Sequence, residues 1–501
     1  MSIRYLISAL LLFLMVTRVG PADASRPDTV RNIVIFIADD HGRDTGAYGN
    51  PVIRTPNLDA LAEEGTLFTH AFATTASCSA SRSVILSGLH NHRNGQYGHT
   101  HDFHHFQTFE HVKSLPVLLA EAGYRTASAG KYHVAPESVF HFEEYIDGDS
   151  RDVVTMVDNA RPFLERDAEE PFFFYLGTSD PHRGGGLMAG DTEATYGDDE
   201  AFAPNRFGNR PGGYPGIEEV QYDPDDVIVP PFLPDTPVTR AELAQYYQSV
   251  SRIDQGFGYL VDVLKDAGVY ENTLIIYMSD HGIAMPGAKT TVYEPGLRSP
   301  LIVRHPDQSD RGVVTDAMVS WVDITPTLLD YAGVEEPTYD QHVGLEDVRR
   351  HLPDRHGLHG RSFLSVLEGE EAEGRDAIYA SHTFHEIQMY YPMRVVRDRD
   401  YKLIWNVAHD LPYPFAADLW DASTWQHAYQ QGLDTPFGGR TVREYMHRPA
   451  FELFDVRVDP LESENLAYRP GYADVLAAYQ AMLWQFEVRT SDPWLLKWEY
   501  E

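Results

Sequence analysis

Ile33-Val34-Ile35-Phe36-Ile37-Ala38-Asp39-Asp40 is the stretch that sets the architecture of this chain. Its unbroken apolar run is typical of a β-strand that is buried on both faces. Two adjacent carboxylates just past a buried strand are costly unless water or a cation neutralises them, and a hard divalent cation is the usual partner. The stretch therefore predicts a strand that is buried on both faces and has charged groups just past its carboxyl end.

Three later apolar runs end in the same way. Predicted strands over 124–129, 171–176 and 274–278 lead directly into Gly130-Lys131-Tyr132-His133, Thr178-Ser179-Asp180-Pro181-His182-Arg183 and Ser279-Asp280-His281-Gly282. Helical patterns over 56–64, 115–122 and 241–267 alternate with them, which predicts an α/β fold with a large, mostly parallel sheet flanked by helices. Carboxyl ends of parallel strands share one sheet edge, where ligands bind. Residues 184–236, rich in Gly, Pro and Asp, are expected to form a long irregular insertion with a functional role.

The pattern of apolar and polar residues changes beyond about residue 370. Shorter alternating segments such as Tyr401-Lys402-Leu403-Ile404-Trp405 replace the long apolar runs, and a last helix is predicted over 472–487. These patterns predict a smaller C-terminal domain with an antiparallel sheet covered by a helix. We expect a catalytic domain over residues 25–374 and the smaller domain over 375–501.

Cys78 is the only cysteine in 501 residues and begins a predicted helix that ends near Leu86. The hydroxyls of Thr74, Thr75 and Ser77 are candidate helix caps, and a helix N-terminus favours an anion. Arg82 lies one helical turn further on, so its guanidinium can fold back beside Cys78. The pattern indicates a nucleophile that attacks an anionic centre; the alternative is a lone buried cysteine that packs as a small hydrophobe.

The N-terminus and the net charge restrict where the protein works. Residues 1–24 are typical of a secretory signal peptide, since Arg4 precedes an apolar run that is followed by the cleavage motif Ala22-Asp23-Ala24. We expect an exported protein, periplasmic in a bacterium or secreted, with no membrane contact after cleavage; an uncleaved anchor is the alternative. The net charge of −35 argues against nucleic acid and anionic membranes as partners. An anionic substrate would therefore need a local basic pocket.

A histidine-rich loop follows the Cys78 helix. His101 and His105 have the i, i+4 spacing that zinc sites on helices use, but Gly95 and Gly98 interrupt the run and no Cys or Glu accompanies it. Pocket lining is the favoured interpretation of this loop, and metal binding is the alternative. The histidines concerned are His90, His92, His99, His101, His104 and His105.

The segment Cys78-Ser79-Ala80-Ser81-Arg82 resembles the signature of type I sulfatases, the formylglycine-dependent branch of the alkaline-phosphatase superfamily. Within that family the chain is similar to the heparan N-sulfatase (sulfamidase) branch across nearly its whole mature length. The resemblance rests also on Ala38-Asp39-Asp40, Asp102-Phe103-His104-His105-Phe106, Gly130-Lys131-Tyr132-His133, Asp180-Pro181-His182-Arg183, Ser279-Asp280-His281-Gly282 and Tyr391-Pro392-Met393-Arg394.

The resemblance implies one Ca²⁺ ion and a modified Cys78. A maturation enzyme would convert Cys78 to formylglycine, and an oxygen of that residue would bind the ion together with Asp39, Asp40, Asp280 and His281. His281 stands where the sulfamidase branch has asparagine, and imidazole is a less natural calcium ligand than a carbonyl oxygen. The fourth protein ligand is therefore open.

The resemblance also implies a role for each catalytic residue. Arg82 would hold the aldehyde hydrate and Asp280 would take its proton, while Lys131 and Lys289 neutralise the sulfo oxygens. His182 would be the general acid toward the leaving group, and His133 the base that releases sulfate. The candidates for substrate binding are His105, Arg183, His385, Glu386 and Arg394. For Glu386 and Arg394, an interdomain salt bridge is the alternative.

The expected function is calcium-dependent hydrolysis of N-sulfoglucosamine at the non-reducing end of a heparan-type glycan. The alternatives are an O-sulfatase, a phosphonate or phosphodiester hydrolase on the same scaffold, or a non-catalytic binder of sulfated glycan if Cys78 stays unconverted. The expected partners are the sulfated glycan or amino sugar and the maturation enzyme. A homodimer is compatible with the sequence, which does not fix the oligomeric state.

Overall fold

The computed structural model describes residues 31–166, 170–184, 207–210, 212–340, 355–370, 372 and 374–500. The predicted signal peptide and residues 185–206 of the predicted insertion lie outside these ranges. The described part of that insertion, up to the helix that begins at Pro237, contains no helix or strand beyond a single bridge between Gly184 and Phe207. Within the described ranges, no helix is long and apolar enough to cross a bilayer.

An eight-stranded sheet forms the centre of the molecule, with the strand order β5-β4-β6-β1-β7-β8-β2-β9. The five strands from β5 to β7 run parallel, and β8 is antiparallel to both of its neighbours. This mostly parallel sheet confirms the predicted α/β architecture. Its strands are β1 (Asn32–Ala38), β2 (Thr66–Phe68), β4 (Arg125–Gly130), β5 (Glu144–Ile146), β6 (Phe172–Gly177), β7 (Thr273–Ser279), β8 (Leu301–Arg304) and β9 (Val313–Thr315), and a small separate pair is formed by β3 (Ala71–Phe72) and β10 (Val319–Ser320).

The unbroken apolar run of β1 is explained by helices on both faces of the sheet. Ile33, Ile35 and Ile37 pack into one buried cluster, whereas the alternate residues Val34 and Phe36 pack into another on the opposite face. Both faces of the strand are therefore dry, as the sequence pattern predicts.

Fourteen α-helices accompany the strands in the described ranges. The longest, Pro237–Asp266, has thirty residues and packs on the same face of the main sheet as Val153–Leu164. In chain order they are α1 (Pro56–Glu64), α2 (Cys78–Ser87), α3 (Asn91–Asn94), α4 (Leu115–Glu121), α5 (Val153–Leu164), α6 (Pro237–Asp266), α7 (Glu294–Leu297), α8 (Ile324–Ala332), α9 (Leu364–Leu367), α10 (Ala417–Trp420), α11 (Ser423–Tyr429), α12 (Val442–Met446), α13 (Ala473–Thr490) and α14 (Lys497–Tyr500).

The C-terminal part forms a second, antiparallel sheet, as predicted. Its order is β13-β14-β15-β18, and α13 packs against it through Leu483 and Phe486. One hydrophobic cluster draws on both parts of the chain, including Tyr246 from α6 and Ile404 from the second sheet. The boundary near Gly374 stays a prediction. The remaining strands are β11 (Tyr339–Asp340), β12 (Arg355–His356), β13 (Ala377–His382), β14 (Met393–Asp398), β15 (Tyr401–Asn406), β16 (Pro436–Phe437), β17 (Arg440–Thr441) and β18 (Phe451–Asp455).

Candidate active site

Three buried carboxylates meet at the carboxyl edge of the main sheet. Asp39 and Asp40 follow β1, Asp280 follows β7, and none of the three is exposed to solvent. They each offer a carboxylate oxygen within 4.8 Å of the others. Asp40 has a left-handed backbone with φ of 64°, and its amide donates to Asp280 Oδ1 at 3.0 Å, which ties the two strand ends together. Oxygen donors grouped in this way fit a hard divalent cation.

Three cationic side chains surround these carboxylates. Lys131 pairs with Asp39, Lys289 Nζ lies 2.9 Å from Asp40 Oδ2, and Arg82 Nε lies 3.0 Å from Asp280 Oδ2. Burial alone would raise the carboxyl pKa values, but Lys131 holds the pKa of Asp39, and Lys289 that of Asp40, well below the usual range. Burial and the neighbouring Asp39 carboxylate instead raise the pKa of Asp280 to about 6. The site thus combines cation-binding oxygens with anion-binding nitrogens.

Cys78 begins α2 as predicted and faces this cluster. Its Sγ lies 3.6 Å from Asp40 Oδ1 and 3.5 Å from His281 Nε2. The predicted hydroxyl cap is not formed, because the N-cap residue Ser77 makes no capping bond and pairs instead with His385 Nδ1 at 2.9 Å. Burial, followed by the charges of Asp39 and Asp40, raises the pKa of the Cys78 thiol. At neutral pH the thiol is protonated and a poor nucleophile.

Arg82 braces the strand ends around Cys78. Its Nη2 lies 3.2 Å from Asp39 Oδ1, and Nη1 donates to the Lys131 carbonyl at 2.9 Å and to the Tyr175 hydroxyl at 3.0 Å. A side chain at Gly177 would come within 2.8 Å of Arg82 Nη1 and 2.3 Å of the Lys131 carbonyl oxygen. Only glycine therefore permits this approach of the two strand ends to the guanidinium.

Lys289 links the predicted general acid to a residue that sequence reasoning missed. Lys289 Nζ lies 2.9 Å from His182 Nε2 and 2.7 Å from Asp418 Oδ2. The distance between His182 Nε2 and Asp418 Oδ2 is 4.0 Å. The Nδ1 atom of His182 contacts the carbonyl of Arg183, so Nδ1 carries the hydrogen and Nε2 accepts from Lys289. Burial, then the charge of Lys289, lower the pKa of His182 to about 4. Asp418 lies in α10 of the C-terminal part, and no local pattern marks it.

The histidine-rich loop lines the same site. His133 Nε2 lies 2.7 Å from His101 Nδ1, and His99 Nε2 lies 2.9 Å from His385 Nε2. The structure groups His101 with His99 and His133 and not with His105, which is exposed. The substrate-binding role of His105 stays a prediction.

Two residues predicted to contact substrate have buried guanidinium groups with internal partners. Arg183 is 3% exposed and pairs with Glu242 at 2.7 Å, while its Nε donates to the Ala284 carbonyl. Arg394 is fully buried and pairs with Asp492. Internal partners hold both guanidinium groups, and the contact of each with substrate stays a prediction.

Glu386 is placed near the site by a backbone contact. It is half-buried and accepts a hydrogen bond from the amide of Ala417 at 3.1 Å, immediately before Asp418. This hydrogen bond places Glu386 close to Asp418. The contact of Glu386 with substrate stays a prediction.

A family model described as "Sulfatase" matches residues 31–334 of the chain, which include every strand end of this site. The chain belongs to the sulfatase family. A second model, "N-sulphoglucosamine sulphohydrolase, C-terminal", matches residues 287–415. Human N-sulphoglucosamine sulphohydrolase is 38% identical over 500 residues, covering 97% of this sulfatase and 94% of the human protein. The predicted enzyme class and the predicted likeness are confirmed.

Solved structures share the fold of this sulfatase. A protein solved in complex with its substrate D-glucosamine-2-N,6-O-disulfate has a TM-score of 0.62 at 21% identity, covering 93% of this chain and 99% of that one. The phosphonate monoester hydrolase of Agrobacterium radiobacter also has a TM-score of 0.62, at 19% identity, covering 92% and 96%. At these identities the likeness concerns the fold alone.

Proposed function

We propose that this sulfatase hydrolyses the N-sulfate of N-sulfoglucosamine in a heparan-type glycan, using one Ca²⁺ ion and a formylglycine made from Cys78. The similarity to human N-sulphoglucosamine sulphohydrolase over 97% of the chain is the observation that carries the choice of substrate. The residue pattern of the N-terminus supports export to the periplasm or the medium. The site geometry supports the proposed division of roles.

The carboxylate cluster fits calcium. Asp39, Asp40 and Asp280 supply hard oxygen donors, and His281 Nε2 lies 3.0 Å from Asp40 Oδ1, at the border of the cluster. When bound, the ion would neutralise charge on the sulfo oxygens as a Lewis acid. Lys131 and Lys289 already contact Asp39 and Asp40, so their ammonium groups lie where they can meet the same oxygens.

The environment of Cys78 supports its conversion. A buried thiol whose pKa is raised is a weak nucleophile, and two carboxylates beside it would oppose a thiolate further. The hydrated aldehyde of formylglycine would supply a hydroxyl oxygen in its place. Because Cys78 is fully buried, the maturation enzyme would have to act before the fold is complete.

Two histidines, His182 and His133, would handle the protons of the reaction. His182 must carry a proton on Nε2 to protonate the leaving nitrogen, but its pKa of about 4 leaves the ring neutral at pH 7 while Lys289 lies beside it, so this proton has to be taken up from solvent after the substrate binds. Entry of a sulfo group would draw the ammonium of Lys289 away from His182 Nε2, which frees that atom for the proton. His133, whose pKa burial and then Lys131 lower, is neutral at pH 7 and can accept a proton when sulfate leaves.

Asp418 gives the pocket a means to prefer a sulfamate over a sulfate ester. A sulfamate nitrogen bears a hydrogen and becomes positive when it is protonated, whereas the bridging oxygen of an ester presents only lone pairs. The Asp418 carboxylate lies 4.0 Å from His182 Nε2, so it is positioned to accept that N–H and to stabilise the positive nitrogen. The same carboxylate would repel an ester oxygen.

The test compares Asp418→Asn with Asp421→Asn, an exposed aspartate one turn further along the chain. We expect Asp418→Asn to lower kcat/KM for N-sulfoglucosamine by at least about tenfold, or ~1.4 kcal/mol, relative to its effect on glucosamine 6-sulfate. Loss of a partner for Lys289 affects both substrates, so the ratio between them is the informative quantity. Asp421→Asn should leave both rates unchanged.

Released inorganic sulfate is measured on protein with matched formylglycine content, determined by mass spectrometry of the Cys78 peptide. Equal losses on both substrates would exclude Asp418 as the discriminating group. A wild-type enzyme that prefers the 6-sulfate, an aryl sulfate or a phosphonate ester would overturn the proposed substrate. An unmodified Cys78 together with glycan binding and no turnover would instead indicate a binding protein.

A further inference from the structure

Three imidazoles come together at the border of the active site. The ring centres of His99 and His101 are 4.7 Å apart, those of His101 and His133 4.8 Å, and those of His99 and His133 5.1 Å. Each ring offers a nitrogen within 4.8 Å of the other two. His101 and His133 already direct Nδ1 and Nε2 toward each other at 2.7 Å.

These separations match rings that share one tetrahedral ion. With a zinc–nitrogen bond of about 2.0–2.1 Å, each ring centre lies roughly 3.2 Å from the metal, and a tetrahedral angle then places the ring centres about 5 Å apart. The contact between His101 and His133 has to open by only about 0.6 Å to give two nitrogens on the same ion, which a small ring rotation achieves.

A second histidine cluster in the chain lacks this arrangement. His90 and His92 lie 5.6 Å apart with an interplanar angle of 7°, and His359 lies 6.1 Å from His92. The stacked rings of His90 and His92 do not direct their nitrogens to one point, and among the described residues His359 does not complete a metal-binding group with them. Proximity of histidines alone therefore does not produce the geometry seen at His99, His101 and His133.

We propose that His99, His101 and His133 bind one Zn²⁺ ion, at a site separate from the carboxylate cluster, and that this ion inhibits the sulfatase. Imidazole nitrogens favour zinc, whereas the carboxylates of Asp39, Asp40 and Asp280 favour calcium. Each ion therefore binds preferentially at its own site. Three protein ligands leave the fourth position for water.

The surroundings favour neutral ligands that are held in place. Burial lowers the pKa of His99, His101 and His133, and Lys131 lowers it further in each case, so all three rings are neutral at pH 7. His99 Nε2 lies 2.9 Å from His385 Nε2, a contact that orients the ring, and Nδ1, whose contact with Ser79 Oγ is 3.5 Å long, is the nitrogen left to bind the ion.

Inhibition follows from the identity of one ligand. His133 Nε2 faces His101, and a zinc ion at this point takes up the lone pair that His133 needs to accept a proton. The inhibitory part of the proposal rests on the proposed role of His133, but zinc binding itself does not. Binding is therefore measured separately from turnover.

Isothermal titration calorimetry with ZnCl₂ on the full mature sulfatase, in excess Ca²⁺, tests the binding. We expect one Zn²⁺ per chain that millimolar Ca²⁺ does not displace. His101→Gln should weaken binding by at least about 30-fold, since it removes one of three ligands. His141→Gln, which changes an exposed histidine outside the cluster, should leave it unchanged. His101 is 46% exposed on its side chain, so its replacement should not disturb folding, which thermal unfolding checks.

Co²⁺ provides a second readout on the unaltered protein, because tetrahedral Co²⁺ bound to nitrogen absorbs visible light far more strongly than octahedral Co²⁺. The midpoint of zinc inhibition should coincide with that of zinc binding. Displacement of Zn²⁺ by Ca²⁺, an octahedral Co²⁺ spectrum or equal affinity in His101→Gln would each refute the site. Zinc binding without inhibition would confirm the site and remove the assigned role of His133.

Discussion

Replacement of Arg394 by methionine separates a structural role from a substrate contact. Arg394 and Asp492 are both fully buried, with Nη2 3.0 Å from Oδ1 and a second contact through Nε. The guanidinium also lies over Trp494, 4.7 Å from the ring centre. Methionine keeps most of the volume but leaves Asp492 as an unpaired buried charge.

The structure sets the expected size of the effect. Removing one partner of a buried ion pair destabilises a protein by about 3–5 kcal/mol, because the remaining charge is desolvated without compensation. Burial would raise the pKa of Asp492, yet Arg394 and then His92 hold it at about 2, and a shift of that size from 3.8 corresponds to ~2 kcal/mol. The two values agree in order of magnitude.

The pH dependence has a definite sign. In the wild type the low pKa of Asp492 contributes stability that is complete above about pH 4 and is lost as the pH falls through 2. In Arg394→Met, burial raises the pKa of Asp492 in the folded state. The variant should therefore gain stability, relative to wild type, as the pH is lowered from 7 to 4.

Urea unfolding followed by tryptophan fluorescence measures the effect. Arg457→Met is the control, because Arg457 pairs with Asp455 at 2.7 Å with 48% of its side chain exposed, and such a pair contributes about 1 kcal/mol or less. Adding Asp492→Asn to Arg394→Met should recover part of the loss, since it removes the unpaired charge. Full stability of Arg394→Met with a loss of activity confined to the glycan would refute the structural role.

Three further predictions concern the catalytic cluster. Cys78→Ala should abolish turnover at an unchanged melting temperature, and substantial residual sulfate release would exclude Cys78 as the source of the nucleophile. Asp40→Asn should weaken calcium binding measured by calorimetry, because it removes a formal charge from the three-carboxylate cluster; unaltered affinity, as expected for the exposed control Asp400→Asn, would place calcium elsewhere. His182→Ala should lower kcat for N-sulfoglucosamine by about 10²–10⁴, but by less than about tenfold for 4-nitrophenyl sulfate, whose leaving group needs little protonation. Equal losses on the two substrates would contradict its role as general acid.

Local sequence patterns predict much of the fold. The unbroken apolar run of β1 predicts a strand that is buried on both faces, because each face must exclude water. Asp39 and Asp40 follow this strand directly in the sequence, so their place at its carboxyl end needs no tertiary information. The same reasoning correctly placed Asp280 and Lys131 at strand ends, since neighbouring parallel strands must finish at one edge. Cys78 and Arg82 share a helix turn, so their proximity also follows from local geometry.

Contacts between distant segments were decided only by tertiary structure. Asp418 reaches Lys289 across 129 residues of sequence, from a four-residue helix whose pattern carries no sign of the active site. Arg183 and Arg394 are candidate substrate contacts in sequence, but Glu242 and Asp492 pair with them in the interior. The grouping of His99 and His101 with His133 likewise depends on how a loop folds over a strand end. The periodicity of apolar residues indicates which face of a helix or strand is buried. Which charged groups neutralise each other depends on packing, because Coulomb attraction and desolvation act through space and produce no periodic pattern in the sequence.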